Sequence, residues 1–107
     1  MKPESLLLTR SGAGASGIHL IMQGQLVVKN AKAIKEELLS ALNNSQNLQL
    51  VLNNIIKIDL AVLQLLIASQ KMAARLQIKL SFEIEFTDQI KLVMYNSGLE
   101  KYFLPAK

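Results

Sequence analysis

The 107-residue chain has no cysteine and no tryptophan, one histidine, two prolines, two tyrosines and three phenylalanines. Each shortage removes a class of chemistry. Without cysteine there are no disulfides, thiolate metal sites or cysteine nucleophiles, and the composition suits a reducing compartment. With His19 alone, a two-histidine metal site is excluded, and any catalytic triad would depend on that single ring. Nucleic-acid binders usually interleave aromatics with basic runs. Here the net charge is +4, but the basic residues are scattered singly and no aromatic interrupts them. Lys29, Lys32 and Lys35 come closest to a cluster, at the start of an expected helix, and read as a solvated surface. The longest apolar stretch, residues 60–68, is broken by Gln64 and is far too short to cross a bilayer. The start "MKPESLLLTRSG" has only a three-leucine run and lacks the pattern of a secretory signal. A soluble, cytoplasmic protein is expected, with no direct membrane insertion and no nucleic-acid partner.

Half the residues are apolar and 19% are charged, as in an ordinary globular domain. The chain is long enough to bury a core without staples and short enough to be one domain, residues 1–107. "SLLLTR" (5–10) reads as a strand, "SGAGASG" (11–17) as a loop of small residues, and "GIHLIMQGQLVV" (17–28) as extended structure with a bend or bulge at Gly24. Asn30 is placed to cap a helix in which Ile34, Leu38 and Leu42 recur at four-residue spacing, ending near Asn43–Ser45. "LQLVL" (48–52) predicts a central strand and "NNIIK" (53–57) a short connection.

From Asp59 the pattern turns helical. Gln64, Ala68, Lys71 and Arg75 share one stripe, and Leu63, Leu66, Ile67 and Ala74 face the other way. Residues 77–86 alternate without a fault, which predicts a strand with one wet face and helices packed mainly on one side of the sheet. A last helix follows, with Thr87 or Asp88 as its cap and Gly98 as its stop. The order is β-β(-β)-α-β-α-β-α, an α/β fold with a mixed sheet of four to five strands.

Candidate chemistry is thin. Gly12, Gly14 and Gly17 spell the dinucleotide fingerprint, but that chemistry needs a strand before the glycines and a helix after them. "IHLIM" follows instead and reads as a strand, so a hairpin loop explains the glycines and no cofactor is expected. Glu83 and Glu85 share a strand face; the uninterrupted alternation makes them a solvated face rather than a carboxylate pair. The four methionines read as core filler. No convergent polar cluster points to catalysis or to a metal.

Residues 51–82, with "GQLVVKNAKAIKEELLSAL" (24–42) before them and "QIKLVMYNSGLEKYF" (89–103) after, resemble the STAS domain family of anti-sigma-factor antagonists and their relatives. The family pattern is an apolar strand, a short loop, then isoleucine-aspartate-serine-(serine or alanine)-glycine-leucine opening a helix. Ile58 and Asp59 match its start, and Leu63–Leu66 match its apolar helix; the glycine-leucine that closes the family's last helix is matched by Gly98 and Leu99. The resemblance spans roughly residues 5–104. It implies a small mixed-sheet domain that binds a protein partner and carries out no chemistry itself.

In the phosphoregulated members a serine in the first turn of this helix is phosphorylated by a partner kinase, which is physically sensible at a helix N-terminus. The two serine positions here are Leu60 and Ala61, and the glycine is Val62. Ala61, matched to the phosphorylated serine, has no acceptor oxygen, and Ser69 lies more than two turns further on. Serine phosphoswitching at the usual position is therefore expected to be lost. The implied partner face is Asn53, Asn54, Asp59, Leu60, Ala61 and Gln64, with N-capping as the structural role of Asp59. The implied partner is an anti-sigma factor, a related kinase or another signalling regulator; alternatives are the ATPase of a lipid-transport ABC system, or a small ligand or nucleotide. A homodimer stays open.

Overall fold

The computed structural model describes residues 6–12 and 17–103. Ser5, Gly14 and the middle of the expected small-residue loop lie outside those residues. One mixed sheet runs in the order β1-β2-β3-β4, built from β1 (Leu6–Ser11), β2 (Ile18–Leu26), β3 (Asn47–Ile58) and β4 (Lys79–Ile84). β1 is antiparallel to β2, and β2, β3 and β4 are parallel. The connections carry α1 (Ala31–Asn43), α2 (Leu60–Leu76) and, after β4, α3 (Asp88–Ser97). Among the described residues there are four strands, the lower of the two expected counts. No helix among them is long and apolar enough to cross a membrane.

The one-sided arrangement follows from topology. The crossovers β2-α1-β3 and β3-α2-β4 step across the sheet in the same direction, and crossovers of the usual hand then put both helices on the same face. That face is lined by Ile18, Leu20 and Met22, by Leu48, Leu50 and Leu52, and by Leu80, Phe82 and Ile84 on the next strand. Ile34, Leu38 and Leu42 of α1, Leu63, Leu66 and Ile67 of α2, and Ile90 and Met94 of α3 complete one core. The opposite face carries Leu7 and Thr9, His19, Ile21 and Gln23, Gln49 and Val51, and Ser81 and Glu83.

Several boundaries differ from the sequence reading. β2 stops at Leu26, and a 3-10 turn (Val28–Asn30) leads into α1. Residues 53–57 are not a connection: β3 runs on to Ile58. Two register shifts flank Gly24, each adding a residue on β3, so the strand loses its alternation while still pairing with β2. Asn54 holds φ +49° within this bulged stretch, a conformation asparagine tolerates well. In the last turn of α2 Ala73 is buried and Ala74 exposed, the reverse of the expected facing for Ala74. α2 closes on Gln77 in the left-handed region, and β4 begins only at Lys79. The third helix forms as read, with the Thr87 hydroxyl accepting from the Ile90 N–H at 3.2 Å and Gly98 as its left-handed stop.

One carboxylate ties two helix starts together. Asp59 Oδ1 accepts from the Val62 N–H at 3.2 Å, capping α2, and Oδ2 accepts from the Val28 N–H at 2.8 Å, at the turn that opens α1. The Asp59 N–H donates to the Leu26 carbonyl at 3.1 Å, anchoring the same residue to the end of β2. Asn30 occupies the α1 cap position but makes no side-chain cap; its Nδ2 donates to the Gln25 carbonyl at 2.7 Å.

Two predictions test this construction. Asp59→Ala loses both acceptors and is expected to cost about 2–3 kcal/mol, a cap plus a hydrogen bond to a charged group. Asp59→Asn keeps one acceptor oxygen and is expected to cost about 1 kcal/mol, both read from urea unfolding. Gly17→Ala is expected to be the worse of two glycine changes. At φ +96° its added Cβ would lie 2.9 Å from the Asn47 carbonyl oxygen, whereas Gly98, at φ +72°, has open space around it. Gly98→Ala should cost about 1–2 kcal/mol from backbone conformation alone, and Gly17→Ala measurably more in the same assay.

Candidate partner-binding face at the start of the second helix

The first turn of α2 divides its residues cleanly. Val62 and Leu63 are fully buried, while Leu60 is 45% exposed and Gln64 faces solvent. Helical spacing produces this division, because Val62, Leu63, Leu66 and Ile67 fall on the stripe that meets the sheet. Ala61 is half-buried at the floor of a shallow groove of about 480 Å³, shared with Ala31, Lys32 and Lys35 of α1 and Gln64 and Leu65 of α2. The α1 side of that groove is brought alongside by the Asp59 bridge to Val28. Val28 itself is 63% exposed and Ile56 47%, so three large apolar side chains, with Leu60, reach water at this end of the molecule.

Four of the six expected face residues thus come together: Asp59, Leu60, Ala61 and Gln64. Asp59 stands apart in role, since both carboxylate oxygens are engaged inside the fold. Asn53 and Asn54 do not join the group. They lie further back along β3, where Asn53 Oδ1 accepts from Gln23 Nε2 at 2.6 Å and the Asn54 N–H donates to Glu85 Oε1 at 3.0 Å. Both asparagines have structural partners in the bulge. The sequence reading missed Lys32, Lys35 and Ala31 as neighbours of Ala61. Their placement off the Ile34–Leu38–Leu42 stripe was visible, but which helix they would border was not.

The remaining candidates stay dispersed. Gly17 leads directly into β2, so no helix N-terminus follows the glycine pattern. His19 is exposed on the helix-free face of β2, and Glu83 is exposed on β4. Among the described residues no three His, Asp or Glu side chains gather as metal ligands would. A wider depression of about 600 Å³ lies at the other end of α1, between residues 42–46 and Leu76 and Ile78, and no ionisable side chain lines it.

No family model matches the sequence, and no curated protein matches it. Solved structures do. An anti-sigma factor antagonist from Mycobacterium paratuberculosis superposes with a TM-score of 0.80 at 14% identity, over 95% of this chain and 86% of its own. The anti-sigma factor antagonist SpoIIAA in its unphosphorylated form gives 0.72 at 11% identity, over 94% and 89%. The phosphorylated form of SpoIIAA, a Bacillus cell fate determinant, gives 0.67 at 11% identity, over 94% and 92%. Four strands in this order and three helices on one face give the chain the STAS fold of the anti-sigma factor antagonists.

Proposed function

We propose that the chain is a non-enzymatic, cytoplasmic regulatory module of the STAS type, one domain throughout, that docks a protein partner on the first turn of α2 and the groove beside it. The observation that carries this reading is the exposed, chemically inert first turn. Leu60 and Ala61 project no polar atom, and the adjoining rim supplies Lys32 and Lys35. Such a patch suits a partner that contributes apolar side chains at the centre and carboxylates at the edge. The structural relatives are named as antagonists of anti-sigma factors, which favours a signalling protein as that partner.

Docking here is not gated by serine phosphorylation at the usual position. Leu60 and Ala61 lack a hydroxyl, and Ser69, the next serine along the helix, is 7% exposed with its Oγ donating to the Leu65 carbonyl at 2.9 Å. The module is then ungated at this position, and its engagement is set by concentration or by the partner's own state.

The test compares unmodified protein with Ala61→Glu and with Ser81→Glu, the last on the helix-free face, first as baits in native lysate and then with the purified partner. Ala61→Glu is expected to weaken binding at least about tenfold, or 1.4 kcal/mol, while Ser81→Glu binds as the unmodified chain does. Raising salt from about 0.05 to 0.5 M should weaken the unmodified complex through the two lysines. Recovery of an ABC ATPase would move the assignment to membrane-lipid transport. Equal binding by Ala61→Glu would reject this face.

A further inference from the structure

At the end of the sheet opposite the first turn of α2, the parallel strands β2, β3 and β4 begin side by side. Their registers put His19 beside Gln49 and Gln49 beside Ser81, in one row across the helix-free face. Two residues earlier, and so on that same face, Asn47 stands beside Lys79. Gly17 ends this second row on the β2 side. It holds φ +96°, and a Cβ there would lie 2.9 Å from both the Cβ and the carbonyl oxygen of Asn47. Glycine leaves that corner open.

The result is a hollow of about 110 Å³ lined by five polar side chains from three strands: His19, Asn47, Gln49, Lys79 and Ser81. Neighbours in such a lattice stand about 4.8 Å apart across strands and about 6.7 Å along them, close enough for one small ligand to touch several. Gln49 is half-buried and the other four are exposed. Among the described residues, none of the five side chains has a hydrogen-bond partner within the protein. Further along the same face the amides do pair, Gln23 Nε2 with Asn53 Oδ1 at 2.6 Å. No carboxylate lines the hollow; Glu83, the next residue of β4 on this face, stands one row further on. Lys79 supplies a fixed positive charge, and the amides, the hydroxyl and the imidazole can all donate. A cation finds no carboxylate here, whereas an anion with several acceptor oxygens finds a donor from each strand.

We propose that this hollow binds one small oxyanion of the phosphate class, either free phosphate or the terminal group of a phosphomonoester. Lys79 Nζ donates charge-assisted hydrogen bonds to it, and the side-chain amides of Asn47 and Gln49 engage its remaining oxygens. The Ser81 hydroxyl and the His19 ring close the row. The volume is well under the roughly 300–1,000 Å³ of pockets that enclose whole ligands, so the site takes a single charged group. Open to water and screened by salt, it is a weak site, with a dissociation constant expected at about 1 to 10 mM. The hollow lies away from the α2 groove, and neither proposal depends on the other.

The test is an amide-resolved NMR titration of the full chain with sodium phosphate, against sodium chloride at matched ionic strength. Phosphate is expected to give saturable shifts at the side-chain amides of Asn47 and Gln49 and at the backbone amides of His19, Lys79 and Ser81. Chloride is expected to give none of them. Lys79→Gln should raise the dissociation constant at least about fivefold, and Ser81→Glu, which sets a carboxylate in the row, at least about tenfold. Lys91→Gln, on α3 across the sheet, should leave it unchanged. Both site variants alter exposed side chains, and each spectrum reports whether its variant is folded. A parallel titration with phenyl phosphate separates the sources: comparable binding assigns a phosphomonoester, and binding of phosphate alone assigns the free ion. Shifts that never saturate, that chloride reproduces, or that survive both site variants overturn the proposal. So does equal weakening by Lys91→Gln.

Discussion

The carboxylate of Asp59 is the point on which the candidate face depends. It accepts from the amide of Val62 in its own helix and from the amide of Val28, 31 residues earlier, at the entry to α1. Helix starts leave orphan N–H groups that must find acceptors. Here one side chain serves two of them, at the ends of two neighbouring parallel strands. The groove between Ala31 and Ala61 lies beside those two starts. An N-cap read from sequence is a local device; in three dimensions it is also a tie between elements.

The sheet explains why a face is available at that end at all. Parallel strands β2, β3 and β4 finish on the same side, so their outgoing turns cluster there, the usual location for binding in open α/β sheets. β3 runs beyond the last residue of β4 that pairs with it, carrying Ile55 and Ile58 into the core and leaving Ile56 exposed. The bulges near Gly24 and Asn54 allow this overrun while pairing with β2 continues. Apolar side chains at the exit turns are therefore exposed by construction and not by a packing failure.

What could be read from the chain follows the range of each signal. The third helix was legible to its ends because Thr87 and Gly98 act on backbone groups within a turn of themselves. Alternation across residues 77–86 signals both a strand, formed over Lys79–Ile84, and a sheet with one uncovered face. "IHLIM", after the dinucleotide-like glycines, is strand-like over the same short range, and β2 forms there. Residues 53–57 were misread because bulges break the period of two, and paired asparagines carry the same local signature in a bulge as in a turn. The Val28–Asp59 bond and the Lys32–Ala61 juxtaposition were beyond reach, because each joins residues about 30 apart. Gln77 in a left-handed cap offered no warning, since glycine or asparagine is the usual residue there. The candidate groove is thus half legible: its helix turn is local sequence, while its other wall comes from a different helix.

The most direct measurement is residue-resolved amide hydrogen exchange under native conditions, comparing the unmodified chain with Asp59→Asn. If one carboxylate holds two helix starts, removing one acceptor oxygen will deprotect Val28 or Val62 directly. The loosened joint will then carry the loss to the other amide, while core amides of β3 such as Leu50 keep their protection. Loss confined to Val62 would make Asp59 an ordinary cap for α2 alone. Unchanged protection at both amides would contradict the account of a shared platform.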